Sequence, residues 1–283
     1  NLYAGINVGN GGYATTGNII RGNYIGTKET GTTALGNGQA GIYIQGSVNT
    51  VIGGATASAR NVISGNGTGI FVDGGIGTLI QGNFIGTNAA GSGALGNGTA
   101  GGIWIENGAT RTQVGGTTAS MGNRIAFNTG AGITVADSIT IRNTIRRNSI
   151  YKNSLLGIDL GNNGVTPNDS MDPDLGPNRL QNYPVLTSAK SVTRVIAGRL
   201  NSKPNQTFVL EFFSTPASMG CDPSHYGEGR TYLGLASVIT NATGVASFSR
   251  AMTVAFPVGS IITATATDSL RNTSEFSRCR AAN

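Results

Sequence analysis

The hexapeptide Gly22-Asn23-Tyr24-Ile25-Gly26-Thr27 returns as Gly82-Asn83-Phe84-Ile85-Gly86-Thr87. Ala34-Leu35-Gly36-Asn37-Gly38 returns as Ala94-Leu95-Gly96-Asn97-Gly98, and Gly53-Gly54 as Gly115-Gly116, so the long repeat is 60–62 residues. A shorter unit inside it opens on Gly-Ile-x-aliphatic. Its heads are Gly5-Ile6-Asn7-Val8, Gly41-Ile42-Tyr43-Ile44, Gly69-Ile70-Phe71-Val72, Gly102-Ile103-Trp104-Ile105, Gly132-Ile133-Thr134-Val135 and Gly157-Ile158-Asp159-Leu160. Their spacings are 36, 28, 33, 30 and 25 residues. A fixed-length supersecondary unit that recurs cannot bury its apolar face alone, so neighbouring units are expected to stack.

Each unit also carries short alternating runs, such as Asn61–Ser64 and Thr78–Gln81. Alternation over four or five residues between Gly or Asn turns predicts short, half-buried strands, and no helical period competes with it. Three short strands per unit, stacked about five times, are expected. Residues 1–162 thereby resemble the parallel β-helix repeat proteins, the superfamily that includes pectate lyases and many bacterial surface proteins. The resemblance implies an all-β fold, a right-handed parallel β-helix of five to six coils, with Ile, Val and Leu filling its bore. It does not imply one activity. Asn1 falls inside a repeat unit, so a piece of a longer, secreted parent is expected.

Corner positions of such a coil favour Gly and Asn, which tolerate left-handed backbone angles. Asn23, Asn66, Asn83, Asn128 and Asn148 are candidates for side chains bonded along the axis, with plain turn formation as the alternative. Insertions at Lys28–Ala40 and Asn88–Ala100 lengthen one corner, and those at Ala55–Arg60 and Thr117–Gly122 another. Their Gly, Thr and Ala content offers little chemistry, so they read as structural loops.

The third residue of each head should point outward. It runs Asn7, Tyr43, Phe71, Trp104, Thr134, Asp159, which places three aromatics on three successive units. The fifth, also outward, includes Gln45, Asp73 and Glu106. Neighbouring strands lie about 4.7–4.9 Å apart, so these residues form one strip. One reading is an aromatic ladder that stabilises the sheet. The other is a sugar-binding platform, in which rings meet the apolar faces of pyranoses and carboxylates accept from hydroxyls. The single Trp of the chain lies in this strip. Asp73 and Glu106, expected about 5 Å apart, also match the carboxyl spacing of a retaining glycosidase. Polygalacturonase-like hydrolases add a His to their acidic cluster, however, and His225 lies outside the coil. Pectate-lyase-like enzymes add a calcium cluster and a basic residue, and no such set aligns here.

Composition changes after the repeats. Residues 1–162 hold 36 of the 45 Gly and no Pro, while residues 163–283 hold all 8 Pro and both Cys. A boundary is expected near Gly164. The segment 163–183 reads as a linker in which Asp169, Asp172 and Asp174 fall within six residues. Oxygen ligands in a turn-rich loop suit Ca²⁺, although the spacing is not that of an EF-hand; a solvated linker is the alternative. Residues 184–283 show apolar runs about every ten residues, the pattern of a small antiparallel sandwich. Phe208–Thr215, Cys221-Asp-Pro-Ser and Gly227-Glu-Gly resemble the immunoglobulin-like modules that follow β-helix repeats in bacterial extracellular proteins. In an exported protein of that kind Cys221 and Cys279 are expected to pair, with two buried free thiols as the alternative.

Other classes are disfavoured. Charged residues are only 11% of the chain, which argues against disorder. Net charge is +6, and the densest basic stretch, Arg142, Arg146, Arg147 and Lys152, has only Tyr151 as a stacking partner. It reads as a solvated edge rather than a nucleic-acid surface. No apolar run reaches membrane-spanning length. One His and two Cys cannot form an ordinary zinc cluster, and no Walker loop or nucleophile elbow is present. The expectation is a noncatalytic polysaccharide- or glycan-binding module of an extracellular or cell-surface bacterial protein, within a larger multidomain parent. Tyr43, Gln45, Phe71, Asp73, Trp104 and Glu106 would contact the ligand, and no cofactor beyond calcium is implied. The alternatives are a polysaccharide hydrolase or lyase using Asp73 and Glu106, and a passive spacer.

Overall fold

The computed structural model describes residues 1–9 and 15–283. The described residues form an all-β structure with three parallel sheets followed by two antiparallel ones. The first parallel sheet stacks Ile6–Val8, Ala40–Gln45, Thr68–Asp73, Ile103–Glu106, Ile133–Val135 and Ile158–Leu160 in sequence order. The second stacks Ile19–Ile20, Val51–Gly53, Leu79–Gln81, Gln113–Gly115 and Thr144–Arg146. The third stacks Tyr24–Ile25, Val62–Ile63, Phe84–Ile85, Arg124–Ala126 and Ser149–Tyr151. Consecutive strands therefore fall in successive sheets, and each strand pairs with its counterpart one repeat later.

Register follows the heads. Ile6, Ile42, Ile70, Ile103, Ile133 and Ile158 pair in one continuous row, and Val8, Ile44, Val72, Ile105, Val135 and Leu160 in the next inward row. Nearly all of these side chains are buried and belong to one apolar core with Ile52, Ile80, Val114, Ile63, Ile85 and Ile125 of the other two sheets. A one-residue slip would turn every one of them to solvent, so the alternating pattern fixes the pairing. The closing glycine of the repeated hexapeptide has its own cause. Gly26 and Gly86 sit at φ +82° and +84°, and a Cβ on Gly86 would lie 2.1 Å from the carbonyl oxygen of Ala126. No other residue type fits there without moving the next repeat's backbone.

Asparagine ladders run along the corners. In one, Asn23 donates through Nδ2 to Asn61 Oδ1 at 3.1 Å, Asn61 to Asn83 at 2.9 Å, Asn83 to Asn123 at 3.0 Å and Asn123 to Asn148 at 2.9 Å. In the other the series is Asn37, Asn66, Asn97, Asn128 and Asn153. Each Oδ1 also accepts the backbone N–H of the preceding rung, so no buried amide is left unpaired. All five asparagines proposed from sequence are rungs, two of one ladder and three of the other. The turn-former alternative understates them.

The antiparallel part contains a three-stranded sheet, Val185–Lys190, Val195–Asn201 and Val245–Ala251, and a four-stranded one, Thr231–Ile239, Thr207–Thr215, Ile261–Asp268 and Arg280–Ala281. Phe208, Leu210, Phe212, Ile196, Leu200 and Phe248 from the two sheets share one core. Cys221 and Cys279 form a disulfide, as expected. Phe213 and Phe276, rings 5.4 Å apart, join the core of the parallel stack. The antiparallel part thus plugs the end of the apolar bore.

The segment between the two parts is tightly held. Asp172, Pro177, Asn178, Gln181 and Asn182 are buried, and Asn178 both accepts from Asn143 N–H and donates to Thr273 O. The basic stretch is likewise no solvated edge. Arg146 pairs with Glu211 of the antiparallel part at 3.0 Å, and Arg147 lies over the Tyr232 ring at 4.3 Å. The reason is topological: the last parallel strands are the ones the antiparallel part covers.

Candidate functional site

The outward column of the first sheet is assembled as the heads predict. Asn7, Tyr43, Phe71, Trp104, Thr134 and Asp159 are direct neighbours on successive strands. Gln45, Asp73 and Glu106 form a second row two residues on. Tyr43, Phe71 and Trp104 are half-buried and keep part of their ring surface in solvent. Thr134 and Asp159 are buried, so the accessible strip ends at Trp104.

The rings are not coplanar. Tyr43 and Phe71 meet edge to face, with centroids 5.2 Å apart and planes at 64°. That geometry stabilises the aromatic pair itself, and it presents a ridged surface instead of a flat shelf. The carboxylates are tied to the same side chains. The Tyr43 hydroxyl donates to Asp73 Oδ2, and Asn107 Nδ2 donates to Asp73 Oδ1 at 2.5 Å. Trp104 Nε1 donates to Glu106 Oε2 at 2.7 Å. Burial, and then the bond to Asp73, pushes the Tyr43 phenol up to about 12, so it remains a donor across the physiological range. Carboxylates have lone pairs to spare after one such bond, and those remaining accept well from sugar hydroxyls.

Two further polar residues complete the rim. Asn107 follows Glu106 at φ +54°, and its backbone N–H donates to Asp137 Oδ2 at 2.5 Å. Asp137 in turn accepts the N–H groups of Ile139 and Thr140 at 3.0 Å. The Asn107-Gly108 pair is a turn signal in the sequence, but reading the heads alone misses it. His225 lies in the antiparallel part, exposed, in the loop that carries Cys221.

A second cluster lies between the two parts. One carboxylate oxygen each from Asp169, Asp172 and Asp174 lie within 4.8 Å of one another. Burial pushes the Asp172 carboxyl up to about 6 and also raises that of Asp174. Three more carboxylates, Glu211, Glu228 and Glu275, are spent on the end of the parallel stack. Glu228 Oε1 accepts both the backbone N–H of Asn153, at 3.0 Å, and its Nδ2, at 2.8 Å. Glu275 Oε1 accepts Leu160 N–H at 3.0 Å, and Glu211 Oε2 accepts Arg147 N–H at 2.8 Å. Burial raises all three, Glu228 to about 7 and Glu275 to about 8.

No protein-family model matches the chain. Among the described residues no helix is long and apolar enough to cross a membrane.

Proposed function

We propose that the chain is a noncatalytic carbohydrate-binding or adhesive module of an extracellular bacterial protein. In this reading residues 1–162 are a right-handed parallel β-helix, 163–183 a connecting segment, and 184–283 an Ig-like sandwich. The observation that carries it is the alignment of Tyr43, Phe71 and Trp104 on three adjacent strands, each with ring surface in solvent. Aromatic faces contribute dispersion and apolar contact with pyranose C–H groups. Asp73, Glu106 and Gln45 stand beside them as polar partners for hydroxyls. The Cys221–Cys279 disulfide supports an oxidising compartment.

Catalysis by Asp73 and Glu106 is the second reading, favoured by their direct pairing on adjacent strands. The bonds from Tyr43, Asn107 and Trp104 weigh against it. They engage both oxygens of Asp73 and one of Glu106, so these atoms are already occupied by the protein's own donors. Affinity electrophoresis against a polysaccharide panel, with product analysis of the same incubations, separates the readings. A binding module is retarded by at least one polysaccharide, loses that retardation in Trp104→Ala, and releases no sugar ends. Release of reducing ends or unsaturated products that Glu106→Gln abolishes establishes the enzyme instead. A chain retarded by nothing is a spacer.

A further inference from the structure

The acidic cluster in the connecting segment is independent of the carbohydrate reading. Asp172 is 1% exposed, and its two oxygens have different surroundings. Oδ2 accepts from the Ser202 hydroxyl and from Gln181 Nε2 at 2.9 Å. Oδ1 is fully buried with no hydrogen-bond partner, and the same is true of Asp174 Oδ1. A buried acceptor without a partner is destabilising, and more so when it is charged. Asp169 adds a third carboxylate within 4.8 Å, and among the described residues no Lys or Arg forms an ion pair with any of the three. Lys203 is close enough to lower the pKa values of Asp172 and Asp174, but it stops short of contact.

Three fillers satisfy such oxygens: a buried water, a proton shared between carboxyls, or a cation. A water donates at most two bonds and cancels no charge. A shared proton serves one pair and leaves the third carboxylate repelled. A cation serves all three. Two oxygens on one Ca²⁺, at about 2.3–2.6 Å each, stand at most about 5 Å apart, and the 4.8 Å limit of the cluster falls inside that. Asp169 and Asp174 are partly exposed, which leaves a path from solvent and room for water ligands. Ca²⁺ accepts irregular shells of six to eight oxygens, whereas Mg²⁺ demands a near-ideal octahedron that three carboxylates on one loop do not supply.

We infer that Asp169, Asp172 and Asp174 bind one Ca²⁺ ion, which clips the connecting segment to the antiparallel part. The clip follows from what the cluster already touches. Met171 N–H donates to Asn201 Oδ1 at 2.9 Å, and Asn182 Nδ2 donates to Asn201 O at 2.9 Å and to Asp169 O at 2.8 Å. Asn201 ends the strand Val195–Asn201, and Ser202 follows it. A bound ion would therefore fasten the segment to the end of the central strand of the three-stranded sheet.

The test uses the full chain stripped with chelator, titrated with CaCl₂ by calorimetry and followed by thermal melting, with MgCl₂ at matched ionic strength as control. Saturable binding of one Ca²⁺ is expected, with Kd in the range of about 10⁻⁴–10⁻³ M for a site of this kind. At one hundred times Kd the folded-to-unfolded ratio rises about 100-fold. Asp174→Asn should weaken Ca²⁺ binding at least about tenfold and remove the melting shift, while the stripped variant still melts cooperatively. Asp169→Asn serves the same purpose should that variant fail to fold. Hydrogen exchange should slow most on Ca²⁺ addition at residues 169–182 and 200–203, beyond the common slowing of amides that exchange by global unfolding. The inference is overturned by no saturable Ca²⁺ binding up to about 10 mM, above the upper end of that range. Unchanged Ca²⁺ affinity in Asp174→Asn also overturns it. So does the absence of any melting shift on addition of saturating Ca²⁺.

Discussion

Replacing Glu228 tests how the parallel stack is closed. Asn153 is the last rung of its ladder, and its N–H and Nδ2 both donate to Glu228 Oε1. Glu228→Ala orphans both donors. Each costs about 1–3 kcal/mol if left dry. A cavity of about 130 Å³, lined by Lys152, Asn153, Cys221, Asp222 and Glu228 among others, gives water a place to enter. The expected loss is therefore at the low end, about 2 kcal/mol. Glu228→Gln behaves differently, because a single oxygen accepts both bonds and an amide keeps that oxygen. Burial raises the Glu228 carboxyl to about 7, against the hydrogen bonds from Asn153 and Lys152 that favour its charged form. Its ordinary value is near 4.5. The folded chain then binds this proton more tightly than the unfolded chain does. That contribution is present in full below about pH 4.5 and is lost as pH rises through about 7. The full span corresponds to at most about 3 kcal/mol, and partial exposure of the residue reduces it to about 1–2. Glu228→Gln cannot lose it. Urea unfolding at pH 4.5 and pH 8 should give equal stability for wild type and Glu228→Gln at the lower pH. At the higher pH the variant should be about 1–2 kcal/mol more stable. Equal losses in Gln and Ala variants at pH 8, or a wild-type-to-Gln difference that ignores pH, would refute the reasoning.

Two more outcomes follow from the same structure. Asn83→Ala removes the acceptor of Asn61 N–H and Nδ2 in the middle of a buried ladder, and should cost about 3–5 kcal/mol in denaturant unfolding. Asn23→Ala, at a half-exposed rung, should cost under about 1.5 kcal/mol, and equal costs at the two sites would deny the ladder its role. The Cys221–Cys279 disulfide closes 58 residues. Replacing both with Ser should lower stability by about 2–4 kcal/mol without changing the fold seen by circular dichroism, whereas no change on reduction would mean the bond constrains nothing in the unfolded chain.

The register of the first sheet was legible because Gly-Ile-x-aliphatic marks one position of every repeat, and period-two alternation then assigns each neighbour a face. The column Tyr43, Phe71, Trp104 and the row Gln45, Asp73, Glu106 follow from that one alignment. The ladders were legible only in part. Asn37 and Asn97 sit inside the insertions, so their distances to the next rung, 29 and 31 residues, are not those of the heads that flank them. The closing residues left no trace at all. Glu228 meets Asn153 across 75 positions, and Glu275 meets Leu160 across 115. Nothing local in Gly227-Glu228-Gly229 says that it ends a ladder. The basic stretch misled for the same reason: a run of Arg looks solvated until the partner surface, Glu211 and Tyr232, is in place.

The direction of the side-chain ladders explains why most of the closing groups are acceptors, Asn178, which also donates to Asn143 O, being an exception. Between side chains every bond runs from Nδ2 to the Oδ1 of the next rung toward the end at Ile158–Leu160, while most Nδ2 groups also donate back to a carbonyl of the preceding coil. The last turn therefore presents N–H donors, and another donor there would leave two buried groups facing each other. What meets them are acceptors: Glu228 for Asn153, Glu275 for Leu160, Glu211 for Arg147, Thr273 Oγ1 for Ile145, Asn272 Oδ1 for Arg142 and Gly229 O for Ile150. Burying Glu211 and Glu275 and half-burying Glu228 is costly in isolation, and hydrogen bonds from several amides offset that cost. An apolar surface in their place would cover the bore as well as Phe213 and Phe276 do, yet leave the corner amides unpaired. The antiparallel part is thus matched to this end in chemistry as well as in shape. A foreign sandwich grafted at the same point, lacking acceptors at these positions, would shield the core without closing the ladders.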